Sequence, residues 1–70
     1  MTGKVTIITE RGFGFVRSDE DDRSYFFHRS GFVKGSFDDI QVGDTLVFEP
    51  KESPKGRRAE QIVVEQIPVG

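Results

Sequence analysis

Cysteine is absent from this 70-residue chain, and its absence rules out disulfides and thiolate-metal sites. Histidine occurs once, at His28, which is too few for a zinc centre built from several convergent ligands. No Ser, Cys or carboxylate partner stands at a suggestive spacing from His28, so nothing points to general-base or nucleophilic catalysis. No apolar run approaches the ~20 residues that a membrane helix needs. The opening Met1-Thr2-Gly3-Lys4 offers no apolar core for a signal peptide. The default reading is a cytoplasmic, non-enzymatic chain with no metal, no cofactor and no membrane partner. Helical periodicity is missing as well, since no window carries apolar residues at i, i+3, i+4 and i+7. At this length residues 1–70 make a single domain that buries only ~60% of its unfolded surface.

What the chain does have is a series of short β-rich runs between turn residues. The runs are Lys4 to Thr9, Gly12 to Arg17, Ser24 to Arg29, Thr45 to Glu49 and Ala59 to Gln66. Pro50 is expected to stop the fourth, because proline cannot donate to a central ladder. Residues 30–37 read as a Gly- and Ser-rich connection with room for one tight helical turn, and Lys51 to Arg58 as a flexible loop. Pro68 marks the end of the last run. Five strands in this length favour an all-β fold, a small five-stranded antiparallel closed barrel, because closure removes exposed edges.

The second abundance is aromatic: seven Phe and one Tyr within an apolar content of only 34%. Side chains alternate faces along a strand. In the second run Phe13 and Phe15 share one face, opposite Gly14 and Val16. In the third run Phe26 and His28 share one face, opposite Tyr25 and Phe27. Val16 suits the core and His28 suits solvent, so Phe13, Phe15, Phe26 and His28 are assigned to a common outer face. Tyr25, Phe27, Leu46, Phe48, Ile62, Val64, Val5 and Phe32 are assigned to the core. An exposed cluster of Phe marks a binding site. The plainer reading of any one strand Phe is core, and the weight of the argument lies in four such residues sharing one parity.

The run Arg11-Gly12-Phe13-Gly14-Phe15-Val16 matches the ribonucleoprotein pattern K/R-G-F/Y-G/A-F-V, with Ser18 where a trailing aromatic stands. Tyr25-Phe26-Phe27-His28 looks like the second motif of that type. In RNA-recognition-motif domains the second motif comes first and two helices are needed, neither of which applies here. From Gly3 to about Val64 the chain instead resembles the cold-shock domain, a five-stranded OB-fold barrel. The resemblance implies binding of single-stranded RNA or DNA, pyrimidine-rich by preference, with bases stacked on Phe13, Phe15, Phe26, His28 and Phe37. It also implies an RNA-chaperone or regulatory role. Arg11 flanks the first motif, and Arg29 replaces a ring with a guanidinium that can still stack and pair with phosphate. Where the family carries Lys-Trp-Phe-Asn, this chain has Thr6-Ile7-Ile8-Thr9, so Ile7 thins one edge of the face. Lys4 and Arg57 are further cations assigned to the ligand, Arg57-Arg58 being either a phosphate grip or a plain charged loop.

Other signals are weaker. Gly12-x-Gly14 lacks the third glycine and the helix of a dinucleotide site. Asp19 to Asp22 lacks the spacing of an EF-hand and reads as a solvated turn. The net charge of −2 leaves room for a basic face only if the acidic residues segregate. The alternative function is a protein-interaction or self-associating barrel; the primary reading expects a monomer.

Overall fold

Alternation of small or branched apolar residues with larger ones shapes the strands of the computed structural model, which describes residues 1–64. In chain order they are β1 (Thr2–Ile8), β2 (Phe13–Ser18), β3 (Ser24–His28), β4 (Phe32–Lys34), β5 (Thr45–Ser53) and β6 (Gly56–Val64). Single 3₁₀ turns occupy Arg29–Gly31 and Phe37–Asp39, and no α-helix occurs among the described residues. β1 pairs antiparallel with β2 and with β5, β2 with β3, and β5 with β6. A parallel contact between β3 and β6, Phe26 beside Arg58, closes the five long strands into a barrel. The short β4 lies parallel against β6.

The barrel is filled by Val5, Val16, Tyr25, Phe27, Ile40, Leu46, Phe48, Ala59 and Ile62, with Met1, Ile8, Phe32, Phe37 and Val64 packed at its margins. Gly14 matters to this packing, because a Cβ there would meet the Phe27 ring at 2.7 Å and the Ile7 carbonyl oxygen. The bare backbone thus lets the fully buried Phe27 ring pack directly against β2. Tyr25 places its ring against Phe48, with centroids 5.3 Å apart, and its hydroxyl at the rim donates to Asp21 Oδ2 at 2.7 Å. That bond answers the need of a buried phenol for a polar partner.

Three expectations are corrected. Pro50 does not end the fourth strand: β5 runs on to Ser53, with Pro50 opposite Ala59. The N-terminal segment pairs with β5 only as far as Met1 beside Phe48, so from Glu49 on β5 has β6 alone as a ladder partner, and an edge tolerates the missing donor. The segment Lys51 to Arg58 is therefore a hairpin, not a loop. Glu52 pairs with Arg57 across it, and Ser53 Oγ donates to the Gly56 carbonyl at 3.0 Å to close its turn. The connection over residues 30–37 holds β4 as well as the start of a second tight turn. Gln66 and Pro68, at the end of the last expected run, lie outside the described residues.

Two bulges complete the frame. In β1, Val5 faces Val16 and Ile7 faces Phe15, leaving Thr6 as the extra residue. Its hydroxyl donates to the Phe15 carbonyl at 3.3 Å. In β6, Glu60 faces Glu49 and Val63 faces Val47, so β6 carries one residue more than its partner. Gln61 takes up the excess at φ 49°, in the left-handed region.

Candidate nucleic-acid interface

The outer faces of β2 and β3 bring the assigned rings together. Phe13 stands opposite His28 and Phe15 opposite Phe26 across the antiparallel pair. All four are half-buried, while their neighbours Gly14, Val16, Tyr25 and Phe27 are buried. Phe26 is the hub: it stacks with Phe13 at 5.6 Å and meets Phe15 edge-on at 5.9 Å between centroids. Rings propped against one another in this way are already ordered, which lowers the entropy lost when a ligand stacks on them.

The parallel closure adds a third file. Arg58 lies next to Phe26, with its guanidinium carbon 5.8 Å from the ring centroid. Lys55, Arg57 and Arg58 form one wall of a hollow of about 450 Å³ whose other wall is Phe15 and Phe26. The β5–β6 hairpin thus sets cations beside the rings.

His28 has a second task. Its Nδ1 accepts the Ser30 backbone N–H at 3.1 Å and lies 2.8 Å from Ser30 Oγ, capping the 3₁₀ turn. The ring is thereby fixed in place on the face. Arg29 follows it: its N–H donates to the Gly12 carbonyl at 2.8 Å, and its aliphatic stem lies over Gly12, where a Cβ would come within 3.0 Å.

The remaining assigned residues divide. Ile7 does lie on this face, beside Phe15 and 49% exposed, because the Thr6 bulge reverses the parity of β1. Lys4 is exposed on β1 opposite Arg17. Arg11 is exposed in the turn before β2. Arg57 lines the hollow but also reaches Glu52 at 3.9 Å. Phe37 is not brought to the ring cluster: it packs half-buried on Phe27 and Phe32, with centroids 6.0 and 6.1 Å away. A separate hollow places it near Arg29.

Two residues of the face escaped the reading of strand parity. Arg58 reads from the sequence only as a phosphate grip or a charged loop residue, and Glu60 carries no assignment. Their placement follows from the β3–β6 closure, which joins segments far apart in the chain and leaves no local pattern.

The acidic turn is engaged at the far end of the ribbon. Asp22 holds Arg17 through bonds of 2.9 and 2.8 Å. The Tyr25 hydroxyl, with help from the Arg23 N–H, keeps the Asp21 carboxyl below its usual range. The same bond to Asp21, and then burial, pushes the Tyr25 phenol up.

A closed barrel with an outward file of rings and a flanking wall of cations defines a class: small OB-fold domains suited to single-stranded nucleic acid. Comparison with known proteins agrees. Residues 1–65 match the family described as the 'Cold-shock' DNA-binding domain. The cold shock-like protein CspA of Vibrio cholerae is 32% identical over 63 residues, 89% of this chain and 90% of that one. The major cold shock protein of Micrococcus luteus is 30% identical over 53 residues, 76% of this chain and 79% of its own length. Drosophila Unr CSD456, a solved structure, superposes with a TM-score of 0.76 at 25% identity, covering 99% of this chain and 28% of that one. The chain belongs to the cold-shock domain family, whose members bind single-stranded nucleic acid.

Proposed function

We propose that this domain binds single-stranded RNA or DNA by stacking successive bases on Phe13, Phe15, Phe26 and His28, with phosphates met by the cations around them. The observation that carries this is the register Phe13↔His28 and Phe15↔Phe26, which makes one half-exposed aromatic patch over a core already filled by other residues. Each stacked base contributes roughly 1–3 kcal/mol, and stacking tolerates any base. Ile7 supplies apolar contact but no π-face. Micromolar affinity for short pyrimidine-rich strands is the expected range, near ~ −8 kcal/mol. A protein that holds strands open in this way melts weak RNA hairpins without ATP, which is the chaperone role.

Fluorescence titration with U- and T-hexamers tests the reading. Phe13→Ala and Phe26→Ala should each weaken binding roughly 5- to 150-fold, the equivalent of one lost stack. Unchanged affinity in both variants would sink the stacking face. Self-association without oligonucleotide binding would favour a protein-interaction barrel instead.

A further inference from the structure

Beside the ring cluster, a hollow of about 320 Å³ opens between β3 and β6, lined by His28, Phe32, Arg58, Glu60 and Gln61 among others. Its floor and walls follow from register. Phe26 and Arg58 are parallel neighbours, so the residues two further along each strand, His28 and Glu60, continue the same two files. Arg58 Nε and Glu60 Oε1 lie 4.0 Å apart, both side chains about half exposed. The β6 bulge then turns Gln61 outward as well, while Ile62 returns to the core. A non-glycine residue held in the left-handed region is a strained arrangement of the kind that gathers at functional sites.

Next to a stacking ring, therefore, stand two acceptors from a carboxylate and, beside them, the donors of a guanidinium. Guanine presents the complement along its Watson–Crick edge: N1–H and N2–H₂ donate, and O6 beside them accepts. No other common base places two adjacent donors beside an acceptor on one edge. Uracil sets its one ring N–H between two carbonyls, and a carboxylate facing it meets repulsion on both sides. Cytosine and adenine each alternate an amino donor with a ring acceptor.

We infer that Glu60 and Arg58 read the edge of a guanine stacked on His28, which makes one position of an otherwise tolerant strand guanine-specific. The inference rests on the stacking function proposed above and adds a selectivity that stacking alone does not supply.

The test uses the intact domain and RNA hexamers of uridine carrying one guanosine, scanned through the six positions by fluorescence anisotropy. At one position guanosine should tighten binding about tenfold over uridine. Inosine, which lacks only the 2-amino group, should forfeit several-fold of that gain at the same position. This comparison leaves the protein unaltered, so misfolding cannot mimic it. In Glu60→Gln the ratio of guanosine to inosine affinity should fall toward one. Equal binding of guanosine and inosine hexamers at every position would overturn the inference, as would a ratio unchanged in Glu60→Gln. Failure of the underlying stacking function looks different: no hexamer binds at all, and the inference falls with it.

Discussion

Ile7 is a large exposed apolar side chain on the ring face, opposite Phe15. Replacing it with tryptophan adds a stacking platform beside Phe15 without disturbing the core. Oligonucleotide affinity should rise roughly 5- to 150-fold, and melting should change little, since substitutions at exposed sites stay within about 0.5 kcal/mol. No gain in a titration would place the ligand path elsewhere. The Tyr25–Asp21 bond makes a second prediction. The carboxyl of Asp21 is held low, so its contribution is full above the ordinary carboxylate value near ~4 and is lost as pH falls through the folded value. The phenol of Tyr25 is held high, so its contribution is full below ~10 and is lost as pH rises through the folded value. The difference in melting temperature between wild type and Tyr25→Phe should therefore be widest at neutral pH and shrink at both extremes; a difference that stays flat with pH would rule the bond out as a stabiliser. At this scale the sequence was largely legible. Alternation, with Val16 and His28 to tell inside from outside, separates Phe13, Phe15, Phe26 and His28 from Val16, Tyr25 and Phe27. It could not place Ile7, because strict alternation pairs Ile7 with Val5 and only the bulge at Thr6 separates them. Nor could alternation place Phe37, because a ring in a connection has no parity; in the structure it packs half-buried on Phe27 and Phe32.

Among the elements, β2 depends on glycine more than on any large side chain. An alanine at Gly14 would collide at once with the Phe27 ring and the Ile7 carbonyl, one from each neighbouring strand. Overpacking of this kind costs about 1–3 kcal/mol. Thermal unfolding of Gly14→Ala should show a loss of several degrees or more per kcal/mol for a domain this small. A melting temperature unaltered by the substitution would show that β2 can slide away from Phe27. The β5–β6 hairpin is the element the sequence hid best. Its residues are polar on both faces, so no hydrophobic alternation announces a strand, and Pro50 argues against one. Cross-strand charge pairs such as Glu52 with Arg57 and the closed turn at Ser53 do what apolar packing does elsewhere. The first strand could be read because its apolar residues face a core; the hairpin projects past that core.

For the whole molecule, the net charge of −2 is unevenly spread, with Glu52 and Glu60 accompanying the cations of the hairpin. The acidic turn at Asp19–Asp22 neutralises Arg17 at one end of the ribbon, while Lys55, Arg57 and Arg58 stand beside the rings. On the proposed stacking mode few phosphates are met, so the affinity should fall gently with salt, with a log–log slope near −0.7 for each contacted phosphate. A steep slope would mean that backbone contacts, not rings, dominate. The barrel itself was foreseeable from five short strands, but the pairing that shuts it was not, since nothing local links Phe26 to Arg58. That pairing is a seam. β3 and β6 meet at a single register pair, whereas every antiparallel neighbour is held by at least three. A strand of nucleic acid lying on Phe26 and touching Arg58 straddles the seam and acts as a clasp across it. Transient parting of β3 from β6 then requires the ligand to leave first. Amide hydrogens near the seam should exchange more slowly with ligand present, by up to the factor 1 + [L]/Kd, while those between β1 and β2 keep their pace.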